Sequence, residues 1–377
     1  MAVTIREVNS RKELREFISF PEIIYKGCEN WVNPLYLDEY STLSKKKNPA
    51  FEFCEASYFL AYKENKVVGR VAAIINHNAN KSWNEQNIRF GWLDFIDDFE
   101  VSAALMEKVE EIAFSRGLKA VNGPFGFTDM DREGLLVDGF DKMGSLTTLY
   151  NYPYYGEHLE KLGYCKDIDW EQREFDVPDE VPEKLRRYSE IVRDRYNVRI
   201  LRPSSKRELK RYGRGLFEAL NEAFMPLYGF SPLTDAQIDS YVKQYIPLIN
   251  FDLICILLDR EDKIVGFAVT MPSLSTALKK SRGKILPFGF LYLLKALKRY
   301  ELIDMLMIGI IPSYHNKGLN AVIFDHLNTN FIKLGTRRVI ANPQLENNTA
   351  VQNIFDYYPA RPYMTRRCYL KSIEVKA

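Results

Sequence analysis

The strongest constraint on the fold is an internal repeat, because a chain that repeats a long pattern builds the same structural unit twice. The segment LAYKENKVVGRVAAI (60–74) resembles LLDREDKIVGFAVTM (257–271), at an offset of 197 residues. Farther along, FSRGLKAVNGP (114–124) resembles FIKLGTRRVIANP (331–343), at an offset of 218 residues when their glycines are aligned. The first segment predicts, in both copies, two strands joined by a charged tight turn. We therefore expect two similar halves.

Both halves predict the same order of elements: a strand, one or two helices, a β-hairpin, a longer strand, a helix, a strand, a short helix and a last strand. This order predicts a mixed α/β protein with two similar sheets. We place the domains at residues 1–177 and 197–377, joined by a charged and partly helical linker at 178–196. The second half carries a surplus of about 21 residues, which lies in the basic stretch 273–300.

Composition excludes several classes of protein. The 377 residues include 52 Lys and Arg against 50 Asp and Glu, and a net charge of +2 argues against a dedicated nucleic-acid binder. Apolar runs fall short of the roughly 20 residues that span a bilayer, and the N-terminus lacks an apolar signal region. Five widely spaced cysteines and four histidines favour reduced thiols over disulfides or zinc. We expect a cytoplasmic protein without a metal or a nucleic-acid partner.

The most informative segment is MLMIGIIPSYHNKGLNAVIFDHLNTNFIKLG (305–335). Its pattern predicts a buried strand that ends at Pro312, a short polar loop, and a helix that begins near Gly318. Unpaired backbone N–H groups and the positive end of the helix dipole then meet in one loop, which suits a phosphate or pyrophosphate. Gly318 permits close approach of the backbone, and Lys317 and His315 add charge at the rim. A solvated strand–helix connection is the alternative interpretation.

This loop resembles the signature of the GNAT superfamily of acyl-CoA N-acyltransferases, in which Pro-x-x-Arg/Gln-x-x-Gly-x-Gly/Ala between a strand and a helix holds the coenzyme A pyrophosphate. HNKGLN follows IIP here, with His315 at the Arg/Gln position, Gly318 at the signature glycine and Asn320 at the last small position. The resemblance implies two GNAT-like domains, each a mixed, mostly antiparallel twisted sheet flanked by helices. It also implies acetyl-CoA or a longer acyl-CoA as co-substrate. The implied coenzyme-binding residues are Ile310, Ile311, His315, Asn316, Lys317, Gly318, Leu319, Asn320 and Asn347.

A second resemblance lies in ENNTAVQNIFDYYPARPYMTRRCYL (346–370), which is similar to the closing helix and last strand of the same family. Asn347 and Ala350 match the family motif, and Phe355 stands where the family often has Tyr. The resemblance implies transfer of an acyl group to the amine of a small molecule or a peptide. It places the site in the second domain, facing the cleft between the domains.

The chemistry of amide formation assigns further roles. The resemblance implies that a backbone N–H around Ile310 or Ile311 stabilises the oxyanion of the thioester. The leaving thiolate needs a proton donor, and Tyr358, nearly one helical turn after the usual Tyr position, is our candidate. The incoming amine needs a base. Glu346 is the leading candidate base, and Asp304 is the alternative.

The first half carries a different loop at the equivalent position. An offset of 218 residues brings 315–320 onto DDFEVS (97–102), which holds Asp97, Asp98 and Glu100. Three carboxylates would repel a pyrophosphate, although they suit the N-terminus of the helix predicted at 99–116. We therefore expect that the first half has lost coenzyme binding and serves as a scaffold or as one wall of the acceptor site.

The stretch 273–300 combines the apolar run ILPFGFLYLLKAL with seven basic residues and no acidic one. Three interpretations remain open: it covers an acyl channel, it contacts an anionic membrane or lipid through 279–299, or it packs as a buried helix with a basic rim.

Two other functional interpretations also remain open. One is a non-catalytic ligand-binding or sensor protein on a tandem GNAT-like fold, which the departures at His315, Asn320 and Phe355 favour. The other, by analogy, is a tandem-domain aminoacyl-tRNA-dependent ligase, which the near-neutral charge disfavours.

Overall fold

The computed structural model describes residues 2–348 and 359–374, and the chain divides into two compact units. Unit 1 comprises Met1–Glu171, Leu274–Leu293 and Met364–Ala377. Unit 2 comprises Gln172–Ser273 and Leu294–Tyr363. Each unit contains a mostly antiparallel sheet flanked by helices, so the predicted fold class is confirmed.

The predicted elements of the described residues occur in the predicted order, and the structure adds short elements at Tyr36–Thr42, His77–Trp83, Leu135–Asp138 and Gln344–Leu345. The strands are β1 (Thr4–Glu7), β2 (Cys54–Lys63), β3 (Lys66–Asn76), β4 (Asn87–Phe95), β5 (Ala120–Gly123), β6 (Leu135–Asp138), β7 (Cys165–Asp176), β8 (Arg199–Ile200), β9 (Ile254–Leu258), β10 (Ile264–Pro272), β11 (Leu302–Ile310), β12 (Arg338–Ala341), β13 (Gln344–Leu345) and β14 (Arg361–Ser372). The helices are α1 (Arg11–Ser19), α2 (Pro21–Ile24), α3 (Tyr36–Thr42), α4 (His77–Trp83), α5 (Phe99–Ser115), α6 (Tyr154–Lys161), α7 (Glu183–Tyr196), α8 (Lys206–Phe224), α9 (Asp235–Tyr245), α10 (Ser275–Ser281), α11 (Gly289–Ala296) and α12 (Leu319–Leu334). The short helix predicted at 349–358 lies outside the described residues.

The sheet of unit 1 has the strand order β1-β2-β3-β4-β5-β14. Neighbouring strands are antiparallel except β4 and β5, which are parallel. Helix α5 covers this sheet because its apolar residues recur every four positions and point to one side. Val101, Leu105 and Val109 on that side are fully buried in the core.

The sheet of unit 2 has the strand order β7-β12-β11-β10-β9-β8, in which β11 and β12 form the parallel pair. Helix α8 buries Leu209, Leu216 and Leu220, which lie on one helical face. Helix α12 packs against β9 and β10, and α7 packs against α12. The second unit therefore repeats the arrangement of the first.

The last strand of each half pairs with the strand that follows the long helix α5 or α12 in the other half. Strand β14, near the end of the chain, pairs antiparallel with β5, and its Tyr369 is buried in the core of unit 1. Strand β7, which closes the first half, pairs through residues 174–176 with β12 of unit 2. Because of this exchange, the compact units are built from several segments. The boundaries at 177 and 196, which the repeat predicts, remain predictions.

The basic stretch 273–300 forms α10 and α11. Helix α10 buries Ala277 and Leu278, whereas Phe290 and Leu291 of α11 are 37% and 52% exposed. This exposure excludes burial for most of α11, whereas α10 does pack with one face buried. Among the described residues, no helix has the length and hydropathy to cross a membrane.

The exchange makes a testable prediction about stability. Tyr369→Ala should lower the free energy of unfolding of unit 1 by about 3–5 kcal/mol, because it removes a buried aromatic ring from the core. Phe114→Ala, at a side chain of α5 that is 54% exposed, is the control and should cost less than about 0.5 kcal/mol. Urea unfolding of the full chain measures both. Equal effects of the two changes would contradict the placement of β14 in the core of unit 1.

Candidate active site

The parallel strands β11 and β12 of unit 2 separate after a short pairing. Leu302–Met305 pairs with Arg338–Ala341, and the Asn342 N–H donates to the Met305 carbonyl at 2.9 Å. The register between β10 and β11 then shifts opposite Val269 and Thr270, which leaves Leu306 as an extra residue. Beyond this bulge β11 continues to Ile310 beside β10 alone among the described strands. One edge of β11 therefore has no strand partner within the described residues over five residues, 306–310, and we call it the open edge.

The hydrogen-bond pattern fixes which backbone groups face this open edge. The Ile311 N–H donates to the Val265 carbonyl of β10 at 3.1 Å. Because alternate residues of an antiparallel strand point their N–H and C=O groups to opposite sides, those of Ile308 and Ile310 face away from β10. The Ile310 carbonyl agrees with this phase, since it accepts a 2.9 Å hydrogen bond from Nε2 of His315. Of the two predicted oxyanion donors, the Ile311 N–H is therefore already bonded to β10, whereas the Ile310 N–H faces the open edge.

The loop after β11 brings free amides next to that edge. It runs over eight residues, 311–318, with a short 3-10 turn at Pro312–Tyr314 before α12 begins. Asn316 and Gly318 adopt left-handed conformations, with φ of 59° and 79°. The N–H groups of residues 316–320 have no acceptor within the described part of the chain. Together with the N-terminus of α12 they form a surface of donors that suits an anion.

Two tyrosines of α7 also lie at this loop, and sequence reasoning missed them. A Cβ atom on Gly318 would lie 2.6 Å from the Tyr188 hydroxyl, so the glycine leaves room for this ring. The Lys317 ammonium lies 5.4 Å from the ring centroid of Tyr196 and 4.3 Å from that of Tyr314. The only signal in the sequence was the presence of tyrosines in the charged segment 178–196, whose composition predicts a linker.

The equivalent edge in unit 1 is occupied. Phe95 corresponds to Ile310, since Phe95 pairs with Gly69 as Ile310 pairs with Gly266. The Phe95 N–H donates to the Tyr155 hydroxyl at 3.3 Å, and the Tyr154 hydroxyl donates to the Phe95 carbonyl at 2.7 Å. Both backbone groups of Phe95 that would contact a ligand are therefore satisfied by α6.

The loop of unit 1 is also shorter, and it is capped by its own carboxylates. Only residues 96–98 separate β4 from α5, so the constant offset of 218 residues does not hold through the loop. Asp98 is the N-cap of α5 and accepts from the Glu100 N–H at 3.0 Å, which confirms the predicted capping role. Lys63 contacts Asp98 at 2.5 Å and Glu100 at 2.9 Å. Hydrogen bonding to Lys63 lowers the pKa of Asp98.

The two predicted base candidates lie in different environments. Asp304 is 6% exposed on β11, one residue before the last ladder hydrogen bond of Met305. Burial raises the pKa of Asp304 to about 7, opposed by a hydrogen bond from Ser273. Its Oδ1 atom is buried and has no hydrogen-bond partner among residues 2–348 and 359–374. Glu346 is half-buried.

Asn347 is exposed in the turn after β13, and Tyr358 lies outside the described residues, so their predicted roles remain predictions. Within residues 2–348 and 359–374, no cluster of His, Cys, Asp and Glu side chains is arranged to hold a metal ion.

Comparison with known proteins gives distant relatives over the whole chain. No protein-family model matches. Protein YghO of Escherichia coli (strain K12) is 28% identical, and the alignment covers 98% of this chain and 95% of that protein. A bacterial ceramide synthase of Caulobacter vibrioides (strain NA1000 / CB15N) is 26% identical, and the alignment covers 98% of both proteins.

Solved structures add evidence about the fold. A tandem GNAT protein from the clavulanic acid biosynthesis pathway matches with a TM-score of 0.56 at 11% identity, over 100% of both chains. A GCN5-related glucosamine N-acetyltransferase region of a fungal multi-domain GH3 β-N-acetylglucosaminidase matches with a TM-score of 0.57 at 12% identity, over 98% of this chain and 38% of that chain. Identities this low carry the fold and not the activity. The chain therefore has the fold of the tandem GNAT proteins, as its loop signature and repeat predict.

Proposed function

We propose that this protein is an N-acyltransferase that moves an acyl group from a coenzyme A thioester to an amine, with its site in unit 2. The observation that carries the proposal is the contrast between the equivalent residues Ile310 and Phe95. The Phe95 N–H is already bonded to Tyr155, whereas the Ile310 N–H faces the open edge of β11 beside a loop of free amides. The first half would then have lost coenzyme binding, as its acidic loop predicts.

Coenzyme binding follows from the donors that unit 2 presents. The amides of residues 316–320 would hold the pyrophosphate, with Lys317 adding positive charge. The extended amide-containing arm of the coenzyme would hydrogen-bond to the N–H and C=O of Ile308 and to the N–H of Ile310, as a neighbouring strand does, while the Ile310 carbonyl stays bonded to His315. Because the arm would pass Ile310 first and Ile308 next on its way from the loop, the thioester would lie beyond Ile308, toward the bulge at Leu306 and Asp304. A backbone N–H of β11 at that point would stabilise the oxyanion that forms during attack.

Amide formation requires an oxyanion donor, a base and a proton donor around that thioester. A base takes a proton from the amine, the amine nitrogen bonds to the thioester carbon, and the C–S bond breaks as the thiolate leaves. We propose Asp304 as the base, because it is a buried carboxyl on β11 with one free oxygen and a pKa of about 7. Glu346 is the competing candidate. Tyr358 remains the proposed donor of the proton that the thiolate accepts.

The relative from Caulobacter suggests a class of substrate. A ceramide is an amide that joins a fatty acid to a long-chain amino alcohol, so the enzyme that makes one forms the same type of bond as the reaction proposed here. We therefore propose a long-chain acyl-CoA and a long-chain amine as the substrates of this protein. The competing function is binding of a ligand without turnover, which the substitution of His315 for the family's Arg or Gln favours. Release of free thiol on mixing the two substrates distinguishes the two functions.

The first prediction concerns coenzyme binding. Free coenzyme A at a concentration of 100 times its Kd should stabilise the protein by about 2.7 kcal/mol, measured as a rise in Tm. Gly318→Glu should abolish this stabilisation, because it places a carboxylate among the amides and displaces the Tyr188 ring.

Gly335→Glu is the matched control for this variant. Gly335 ends the same helix with φ of 71° and has no atom within 4 Å of an added Cβ, so it carries the backbone strain without altering the loop. This variant should keep the stabilisation by coenzyme A. Equal stabilisation of the Gly318→Glu variant, or none of the wild type, would contradict the proposed site.

The second prediction concerns the base. Asp304→Asn should lower kcat between about a hundredfold and ten-thousandfold while the Kd for coenzyme A stays unchanged. Glu346→Gln should leave kcat within about threefold. The measurement is thiol release from a long-chain acyl-CoA in the presence of a long-chain amino alcohol. The opposite ranking of the two variants would assign the base to Glu346.

The third prediction uses the raised pKa of Asp304. The folded protein holds this proton up to about pH 7, whereas an unfolded Asp loses it near its ordinary value of 3.8, so this group makes stability fall as pH rises between the two. Asp304→Asn removes that dependence. The unfolding free energy of the variant relative to wild type should rise between pH 4 and pH 7, by at most about 1.4 kcal/mol per pH unit. A difference that does not change with pH would contradict the burial of an ionisable Asp304.

A further inference from the structure

Unit 1 exposes a cluster of apolar side chains on the segment that joins α10 to α11 and on the first turns of α11. We call this cluster the 286–292 patch; it consists of Leu286, Phe288, Phe290, Leu291 and Tyr292. Leu286 is 74% exposed and Phe288 is 68% exposed, which makes them the two most exposed large hydrophobic side chains in the described part of the chain. Soluble surfaces rarely expose apolar residues in such a run unless a partner covers them.

The segment is held in place at its base, so the exposure does not result from a detached loop. Helix α10 buries Ala277 and Leu278, and the Ser275 hydroxyl donates to the Gly144 carbonyl at 2.9 Å. The Gly283 carbonyl accepts from the Tyr36 N–H at 2.9 Å. The Phe290 N–H donates back to the Ile285 carbonyl at 2.8 Å, which closes the turn that carries Phe288. The fold therefore presents the patch on a fixed support.

The charged residues that flank the patch along the sequence have one sign. Lys280, Arg282 and Lys284 precede it and are exposed. None of the three forms an ion pair with another residue in the described part of the chain. The whole stretch 273–300 contains seven basic residues and no acidic one, although the chain as a whole is nearly neutral. Unpaired positive charge beside exposed apolar and aromatic residues is complementary to a surface that is anionic outside and apolar beneath.

We propose that the 286–292 patch and the basic residues Lys280, Arg282 and Lys284 dock this protein on the surface of an anionic lipid bilayer. Phe288, Leu291 and their neighbours would enter the region between headgroups and acyl chains, and the basic side chains would contact the anionic headgroups. Helix α11 has eight residues, about 12 Å of helix, so it can lie in the interface but cannot span the bilayer. Docking does not rest on the proposed acyl transfer, although it would bring the protein to long-chain substrates.

The test is flotation of the full chain with vesicles, without any acyl thioester, so that failure of docking is independent of failure of catalysis. Wild type should bind vesicles that contain phosphatidylglycerol and should bind phosphatidylcholine vesicles at least about tenfold more weakly. Leu291→Ser should weaken binding to the anionic vesicles. The control Phe114→Ser removes an apolar side chain of similar exposure, 54% against 52%, and should leave binding unchanged.

Charge reversal provides an independent arm of the experiment. Lys280→Glu with Lys284→Glu should lower binding to phosphatidylglycerol vesicles by more than about tenfold. Lys66→Glu with Lys81→Glu makes the same change of net charge at exposed lysines of other elements and should have little effect. The proposal is overturned if wild type binds neither vesicle, or if patch variants and controls bind equally. It is also overturned if sedimentation shows a dimer that Leu291→Ser dissociates while vesicle binding is absent.

Discussion

The early separation of two parallel strands is the feature on which the candidate site depends. Strands β11 and β12 pair over Leu302–Met305 and then part, so the following residues of β11 keep one edge of backbone groups free of a described strand. Residues 306–310 are half-buried, so the outward N–H and C=O groups of this edge are accessible to a ligand that pairs as a strand does. The loop of unpaired amides begins where this edge ends, which gives one ligand two sets of donors.

In unit 1, side chains of α6 bond to the equivalent strand edge, so it is not available to a ligand. Its strand β4 parts from β5 as well, but the hydroxyls of Tyr154 and Tyr155 bond to both backbone groups of Phe95. The Tyr155 hydroxyl also contacts the buried carboxylate of Asp94, and Arg70 forms a salt bridge with that carboxylate at 2.7 Å. Opening this edge for a ligand would leave several buried polar groups without partners, which is costly. The two copies of one fold thus present different surfaces for a physical reason that is local to α6.

Two segments outside the repeat supply further surface features of this protein. The stretch 273–300 has no counterpart in the first half, and it supplies the 286–292 patch and its basic flank. Helix α7, which joins the halves in sequence, supplies Tyr188 and Tyr196 beside the loop after β11. The insertion and the linker helix thus add side chains to the repeated fold, and neither interrupts the strand pairing of a sheet.

The main elements and the loop were predictable from the amino-acid sequence, because periodicity, capping residues and glycine positions act over a few residues. The pattern placed α12 after a loop that holds Gly318, and it placed Asp98 and Glu100 at the N-terminus of α5, where Asp98 is the cap. Which strand completes which sheet depends on tertiary contacts, because the pairing of β14 with β5 joins residues about 250 positions apart. For the same reason, the hydrogen bonds of Tyr154 and Tyr155 to the Phe95 backbone could not be predicted from the sequence. The burial of Asp304 likewise depends on neighbours that no local pattern specifies.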